Sequence, residues 1–433
     1  MKKAKSLIGI LALLVAAGQV QAQFELQPSL LRGHVWSQTY QPANIVEGEY
    51  EKFRYGAIGN LWLGNTHAPL KGIFAEGGFI TEEVKDRLID DLKPKEDISA
   101  GYHLGLAAVN VKLGELPLGI YLDEYNAVYT RFNNPNTLGL ILKGNGPYAG
   151  QTVSDSAIRG AIVRTRELGV GTGFKTNKLS IGGRLRLKQG IRMADLANLQ
   201  YALYTDSLGT QVHAFADYDL YTTPKLGKTG LFAFQGFGLG LDLGARYTVF
   251  DKLDFEVAVT DIGFTSWKTN HMKETVDVNW EGISITSLLV DSVSPLIQHQ
   301  VDSIKAILLP DTTEENHLLI APTVVRLGGT YHLSEQASLS GTLIWSPLAS
   351  GARTRLPMIN VAYQHEVIEG LTLGANVYGL GLDTYGVGAM ANYTITAGSV
   401  GIDILAGSDN LLGWIAQGIG RGMSVYGGVG VSF

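Results

Sequence analysis

Apolar and polar residues alternate strictly over long stretches of this chain. Between residues 237 and 249 the odd positions carry Phe, Leu, Ala, Tyr and Val, whereas the even positions carry Gly, Asp, Arg and Thr. Because successive side chains of a strand point to opposite faces, this stretch predicts a strand with one apolar and one mixed face. Residues 179–188, 253–260 and 387–395 repeat the pattern, so the chain is predicted to be all-β.

A soluble sandwich also alternates, but three features favour a membrane barrel. The predicted strands are about ten residues long, which suits a tilted crossing of a bilayer. Short connections such as 251–252 alternate with long links such as 65–97, 131–156 and 268–322. The last strand ends on an apolar row that includes Phe433. We therefore predict a transmembrane antiparallel β-barrel of 14–16 strands, with short periplasmic turns and long extracellular loops.

The first 22 residues have the organisation of a cleaved signal peptide. Three lysines precede an apolar run at 7–18 that is too short to span a membrane, and Val20-Gln21-Ala22 follows as a cleavage motif. The prediction is export through a signal peptide (1–22), an N-terminal periplasmic or plug segment (23–52) and a barrel (53–433). Such a barrel would lie in a cell outer membrane of the Gram-negative type, with its lipid as a partner.

Composition supports this assignment and excludes other classes. The chain has 433 residues, of which 45% are hydrophobic, 17% are charged and 54 are glycine. A soluble chain of this length would usually divide into several cores, whereas a barrel exposes its apolar face to lipid. Removal of three lysines with the signal peptide would leave 31 basic residues (34 less three) against 40 acidic ones, a net charge of −9. This balance excludes a nucleic-acid partner, which requires a basic surface.

Two segments depart from the two-residue period and predict helices in long links. Residues 81–92 combine helix-forming composition with Thr81 as the N-cap, and residues 294–309 begin with Ser-Pro and stop before Pro310. Each helix would either pack on the rim of the barrel or act as a lid or plug.

Charged residues on the predicted inner face are the main candidate site. One row runs along a single strand, and a second spans a hairpin in which Arg246 and Glu256 should approach each other. Either they form a structural network in a wet lumen, or they line a polar channel. Glycines on the same face would permit curvature or clear space for a plug or ligand. The two rows are Arg184, Arg186, Lys188, Asp242, Arg246, Asp254 and Glu256.

Catalysis has no local support in the sequence. There is no His-Glu-x-x-His element, no Gly-x-Ser-x-Gly element and no cysteine. We therefore predict that the protein is not an enzyme and that it uses no metal or cofactor.

Several short motifs occur in a consistent order along the chain. They are Gln41-Pro42-Ala43-Asn44, Gly144-Asn145-Gly146, Ile181-Gly182-Gly183-Arg184-Leu185, Gly236-Phe237-Gly238, Asp261-Ile262-Gly263-Phe264-Thr265-Ser266-Trp267-Lys268 and Asp409-Asn410. In this order they resemble a family of uncharacterised outer-membrane barrels. That family belongs to the bacterial lineage with type IX secretion and is grouped with long-chain fatty-acid-transporter-like barrels.

The resemblance covers nearly the whole mature chain and implies fold and location more than activity. It marks Pro42, Ala43, Asp261, Gly263, Trp267 and Lys268 as family-motif residues. Position 41 is Gln where the wider superfamily has Asn, which puts the plug role of that element in question. Trp267 and Lys268 lie near a strand end, where Trp would either anchor at the membrane interface or contact a substrate. The terminal Phe433 resembles the signal that the barrel assembly machinery reads.

Two functions follow from these predictions. The first is binding or passage of a small hydrophobic molecule through the lumen or through a lateral opening. The alternative is a structural or docking barrel for a secretion or surface-motility assembly. An open lumen with an apolar pocket and a kinked strand would favour the first, and a lumen sealed by side chains would favour the second.

Overall fold

One antiparallel sheet closes on itself in the computed structural model, which describes residues 26, 28–48, 53–64, 81–91, 96–226, 230, 233–250, 252–281, 312–348, 357–380, 384–415 and 422–433. Sixteen strands are found within these residues. They are β1 (Phe53–Gly64), β2 (Glu96–Leu113), β3 (Leu116–Phe132), β4 (Thr152–Lys175), β5 (Leu179–Thr205), β6 (Gln211–Thr222), β7 (Gly236–Val249), β8 (Leu253–Glu281), β9 (Thr313–Ile320), β10 (Thr323–His332), β11 (Ala337–Leu348), β12 (Met358–Ile368), β13 (Leu371–Leu380), β14 (Thr384–Ala397), β15 (Val400–Ser408) and β16 (Met423–Ser432).

Fourteen strand positions make up the barrel wall. β1 pairs with β16, which closes the sheet. β6 and β7 share one position between β5 and β8, with β6 in the outer part and β7 in the periplasmic part. β9 and β10 likewise share the position on the other side of β8. The predicted fold, an all-β antiparallel barrel of 14–16 strands, is confirmed.

The two-residue period separates a lipid-type outer surface from a filled lumen. On β7, Phe237 and Leu243 are 47% and 48% exposed, whereas Asp242 between them is fully buried. The other strands show the same alternation, so the apolar residues form the outside of the barrel. The polar rows therefore lie inside it, where they pair with one another.

Several strands extend beyond the stretches that the sequence pattern indicates. β5 continues from the alternating stretch 179–188 as far as Thr205, so the turn at 206–210 lies at the outer end of the barrel. The predicted link 268–322 contains the outer part of β8 and the whole of β9. The outer parts of these strands are not uniformly polar, since Leu196 of β5 and Leu220 of β6 pack in a cluster with Phe132 and with Leu138.

Short helices occupy the links at the outer end. They are α1 (Glu82–Asp91), α2 (Asn136–Lys143) and α3 (Leu412–Ile415). The helix predicted at 81–92 is therefore present, and its Leu88 and Ile89 pack against Phe132 and Leu138 on the barrel rim. The helix predicted at 294–309 and the signal peptide lie outside the described residues. Among the described helices, none is long and apolar enough to cross a membrane.

Candidate functional site

The N-terminal segment runs through the lumen rather than lying below the barrel. It forms three 3₁₀ turns, at Pro28–Leu30, Val35–Thr39 and Pro42–Val46. Trp36 is buried in an apolar cluster that includes side chains of β1, β3 and β16. At the end of the segment that lies farthest from the periplasm, the Leu26 amide donates to the Asp409 carboxylate at 3.1 Å. The segment thus fills the periplasmic half of the lumen, which we call the plugged half.

Two inward glycines create the space for this segment. A Cβ atom on Gly182 would lie 2.2 Å from the carbonyl oxygen of Pro42, and one on Gly244 would lie 2.1 Å from Gln41 Oε1. Gln41 Oε1 also accepts a hydrogen bond from the Ala43 amide at 3.3 Å, so glutamine caps this turn. The family-motif residues Pro42 and Ala43 therefore sit directly against the glycine rows of β5 and β7.

The first row of predicted charges forms the upper network, which separates the plugged half from the space above it. Arg184 Nε donates to Asp242 at 2.7 Å, and Arg186 donates to Asp242 and to Asp261 at 2.8 Å each. Lys188 pairs with Asp261 and lies 3.4 Å from Glu167. The upper network comprises Arg184, Arg186, Lys188, Asp123, Glu167, Asp242 and Asp261, with three positive and four negative groups.

The second row, apart from Asp242, joins the N-terminal segment to the wall and forms the lower network. Arg32 pairs with Asp254, and its Nη2 lies 3.0 Å from Glu256 Oε1. Arg246 Nη1 lies 3.2 Å from Glu47 Oε1, and its Nη2 lies 3.4 Å from Glu256 Oε2. Arg246 and Glu256 are therefore brought together, as the hairpin register suggested, but groups of the N-terminal segment complete the arrangement.

Protonation of the N-terminal segment reflects these contacts. Burial raises the pKa of Glu47, but hydrogen bonds from Lys175 and Ser180 and the charge of Arg246 outweigh it, so the pKa lies below its ordinary value. Burial lowers the pKa of Arg32, but the carboxylates of Glu256 and Asp254 outweigh it, so the pKa lies above its ordinary value. Both groups are therefore held in their charged forms.

Sequence reasoning missed four members of these networks. Asp123 and Glu167 lie at inward positions of β3 and β4, so alternation along those strands could have identified them. Arg32 and Glu47 belong to a segment without a strand period, and nothing in the sequence points to their partners.

β8 changes the face that it presents to the lumen at Asp261. This residue has a positive φ of 64°, and β7 shifts register opposite it. Between the periplasmic end of β8 and Asp261 the inward residues are even-numbered, and beyond Asp261 they are odd-numbered. Trp267 consequently points inward and is fully buried, so the interface-anchor interpretation was wrong.

The remaining motif residues of β8 surround this change of face. Trp267 packs against Gly190 and Gly236, where a Cβ atom would lie 2.6 Å and 3.0 Å from its ring atoms. A Cβ on Gly263 would lie 2.0 Å from the carbonyl oxygen of Leu239. Lys268 is exposed on the opposite face of the strand.

Among the described residues, the wall has a stretch without strand pairing next to Asp261, which we call the break. β9 and β10 are separated by Ala321-Pro322. The inward residues are odd-numbered in β9 and even-numbered in β10, so the inward face changes there as it does in β8. β10 pairs with both β8 and β11, whereas β9 pairs with β8 alone in the part of the chain that the structure describes. The wall between β9 and β11 is thus without strand pairing among the described residues.

A cavity of about 170 Å³ lies above the upper network and reaches this break. Its floor carries charged groups of the upper network, together with Tyr40 from the N-terminal segment. Its walls are mainly aromatic and aliphatic. The wall residues include Tyr125, Ala127, Tyr129, Val163, Trp267, Leu319, Ile320, Ala321, Pro322 and Val324.

Stacked rings are found among the inward residues of the outer strand ends. The ring of Tyr221 lies 4.2 Å from that of His271 and 3.9 Å from that of His317. His271 contacts Asp219 at 2.9 Å and His317 contacts Asp195 at 3.1 Å. No group of His, Asp or Glu within the described ranges has an arrangement that could hold a metal ion.

Comparison with known proteins places the chain in a family. The profile of one family matches residues 57–400, which is most of the barrel. The chain belongs to DUF5723, a family of unknown function. Among curated proteins, none matches this sequence.

Solved structures with a similar fold include three barrels. One is a FadL homologue of Pseudomonas aeruginosa, 11% identical over 93% of this chain and 94% of that chain, with a TM-score of 0.47. The toluene transporter TodX of Pseudomonas putida is 10% identical over 96% and 95%, with a TM-score of 0.44. The toluene transporter TbuX of Ralstonia pickettii is 8% identical over 96% of each chain, with a TM-score of 0.46.

Proposed function

We propose that this protein is an outer-membrane barrel that takes a small hydrophobic molecule into its upper cavity through the break in the wall. The observation that carries this proposal is the aromatic and aliphatic lining, which continues from the cavity to Ala321-Pro322. Ligand sites are concave and mainly apolar, with a few polar groups that orient the ligand. The charged floor would supply those polar groups.

The plugged half explains why the route would be lateral. Below the cavity, the lumen is occupied by residues 28–48 and by two charge networks, so a straight path requires the N-terminal segment to move. The break lies beside the cavity at Asp261 and needs no such displacement. A hydrophobic molecule would leave through the wall into the bilayer, where its solubility is highest.

Export and assembly complete the proposal. Residues 1–22 would serve as the cleaved signal peptide, and the last strand with Phe433 would be read by the barrel assembly machinery. Phe433 is joined to the first strand, since its amide donates to the carbonyl oxygen of Phe53 at 2.8 Å.

The docking function remains the second candidate, since one observation favours it. Arg184, Arg186 and Asp242 are buried and mutually paired, as expected of a lumen that stays closed. A docking barrel would serve a secretion or surface-motility assembly and would need no cavity.

A substitution in the cavity distinguishes the two candidates. Leu319 lines the cavity, and Leu318, its neighbour on β9, is 58% exposed on the outer face. We expect Leu319→Trp to slow entry of naphthalene into proteoliposomes about tenfold, which corresponds to about 1.4 kcal/mol. Leu318→Trp is the matched control and should transport normally. Equal rates for both variants and the parent, or no transport by any of them, would refute the transport proposal in favour of docking.

A further inference from the structure

A charged patch lies on the outer face of the barrel, on the side away from the lumen. Arg164 Nη2 and Arg166 Nη2 both contact the Glu124 carboxylate at 2.6 Å. Tyr102 donates to the same carboxylate at 2.9 Å, and Arg192 lies directly opposite Arg164 in the β4–β5 pair. We call Tyr102, Glu124, Arg164, Arg166 and Arg192 the outer patch.

Strand alternation shows that these side chains point outward. Asp123 and Tyr125 face the lumen, so Glu124 between them faces away from it. Val163 and Thr165 line the cavity, so Arg164 and Arg166 also face outward. The next residues on the same face of β4 towards the periplasm, Leu168 and Val170, are about half exposed, as expected of a lipid contact.

The height of the outer patch matches the outer edge of the lipid band. Nine residues separate Arg166 from Lys175, where β4 meets its short turn. At about 3.3 Å per residue and a tilt of roughly 40°, this distance is about 23 Å along the membrane normal. The apolar band of such barrels is about 25 Å tall, so the guanidinium groups lie at the headgroup level rather than among acyl chains.

The outer patch contains more positive than negative groups. Three arginines face one glutamate, and Arg192 has no hydrogen-bond or ion-pair partner within the described portion of the chain. The insertion between β6 and β7 (223–235) packs Leu226 against Ile162 and Ala194 just above. That insertion contains two lysines and no acidic residue.

We propose that the outer patch binds the phosphate group of an outer-leaflet lipid headgroup. Among the residues of the outer patch itself, three guanidinium groups and one carboxylate give a balance of two positive charges, which matches a phosphomonoester of charge about −2 near neutral pH. Guanidinium groups bind phosphate oxygens through paired, charge-assisted hydrogen bonds. Glu124 orients Arg164 and Arg166, and Arg192 supplies the unpaired donors. The proposal depends on the membrane location but not on transport.

The test measures lipid retention by the full-length protein in phosphatidylcholine nanodiscs. The discs are doped with lipid A in its phosphorylated or dephosphorylated form, and native mass spectrometry counts the bound lipid. We expect preferential retention of the phosphorylated form, with Arg192→Gln weakening retention about tenfold and Arg192→Lys restoring part of it. Added NaCl should weaken retention, because the site lies near solvent.

The control is Lys112→Gln, which removes a positive charge from the exposed periplasmic end of β2. It should retain lipid as the parent does, and heat-modifiable gel migration should show that all variants are folded. Equal retention by Arg192→Gln and the parent would overturn the proposal. Equal retention of the two forms of lipid A would do the same. Displacement of the lipid by equimolar inorganic phosphate would show that the site recognises free phosphate instead.

Discussion

The plugged half and the upper cavity are built from the same strands but filled in different ways. In the plugged half, inward glycines such as Gly182 and Gly244 remove side chains, and the N-terminal segment occupies the space. Above the upper network, the inward residues of the same strands are tyrosine, valine and tryptophan, and they leave a cavity. The small inward residues therefore lie in the filled part of the lumen, because the space that their missing side chains leave is occupied by the N-terminal segment.

Charge also distinguishes the two regions. The plugged half binds its segment through Arg32, Glu47 and Arg246, which are paired with one another or with the wall. The cavity shares only its floor with a charge network, and its walls are mainly uncharged. The upper network is thus the boundary, and changes on either side of it should have different effects.

The largest effect is expected at the boundary itself. Asp242 is fully buried and accepts hydrogen bonds from Arg184 and Arg186. Asp242→Ala would leave two buried guanidinium groups short of a partner and should lower the free energy of unfolding by about 3–5 kcal/mol. Urea unfolding in lipid vesicles, followed by tryptophan fluorescence, measures this change.

Asp277→Ala is the control for the boundary variant. Asp277 is 64% exposed and pairs with His213 on the outer strand ends, so its removal should change the free energy by about 1 kcal/mol or less. Similar losses for the two variants would show that the upper network is not a structural boundary.

The next effect is expected in the plugged half. A valine at Gly182 or Gly244 cannot coexist with Pro42 and Gln41 in their observed positions. We expect Gly244→Val to displace the N-terminal segment and raise single-channel conductance severalfold in planar bilayers. Gly341→Val is the matched control, because a Cβ on Gly341 meets no atom within 4 Å. Unchanged conductance of Gly244→Val would show that the segment does not block the lumen.

The smallest effect is expected from acidification. The pKa of Glu47 is lowered in the folded protein, so its contribution to stability is complete above its ordinary pKa of 4.5 and is lost as the pH falls through the lower folded value. Protection of residues 28–48 from hydrogen exchange, relative to the intrinsic rate at each pH, should therefore fall below about pH 4.5 in the parent. Glu47→Gln should show a flatter pH profile, and identical profiles would contradict this assignment.

Strand positions could be predicted because alternation is local. The row of Phe237, Leu239 and Leu241 identifies β7 and its lipid-facing side without knowledge of any other strand. The inward position of Arg184, Arg186 and Lys188 follows from the same rule. Their partners do not, since Asp123 lies 61 residues from Arg184 and Asp242 lies 58 residues away.

The errors have specific physical causes. Trp267 was misassigned because a single left-handed residue, Asp261, shifts the parity of β8 and reverses every later side chain. β9 was missed because its first five residues are polar and its last three are apolar, so it carries no two-residue period. The N-terminal segment carries no periodic pattern, so the sequence allowed two positions for it, in the periplasm or as a plug in the lumen.

The sequence by itself determined the class of this protein: an all-β barrel with an apolar exterior and charged inner rows. That information is local, because a period of two residues defines both faces of each strand. Only the tertiary structure decided which charges meet, where the chain fills its own lumen and where the wall is unpaired. These features depend on contacts between residues up to hundreds of positions apart, such as Leu26 and Asp409, and no local pattern encodes them.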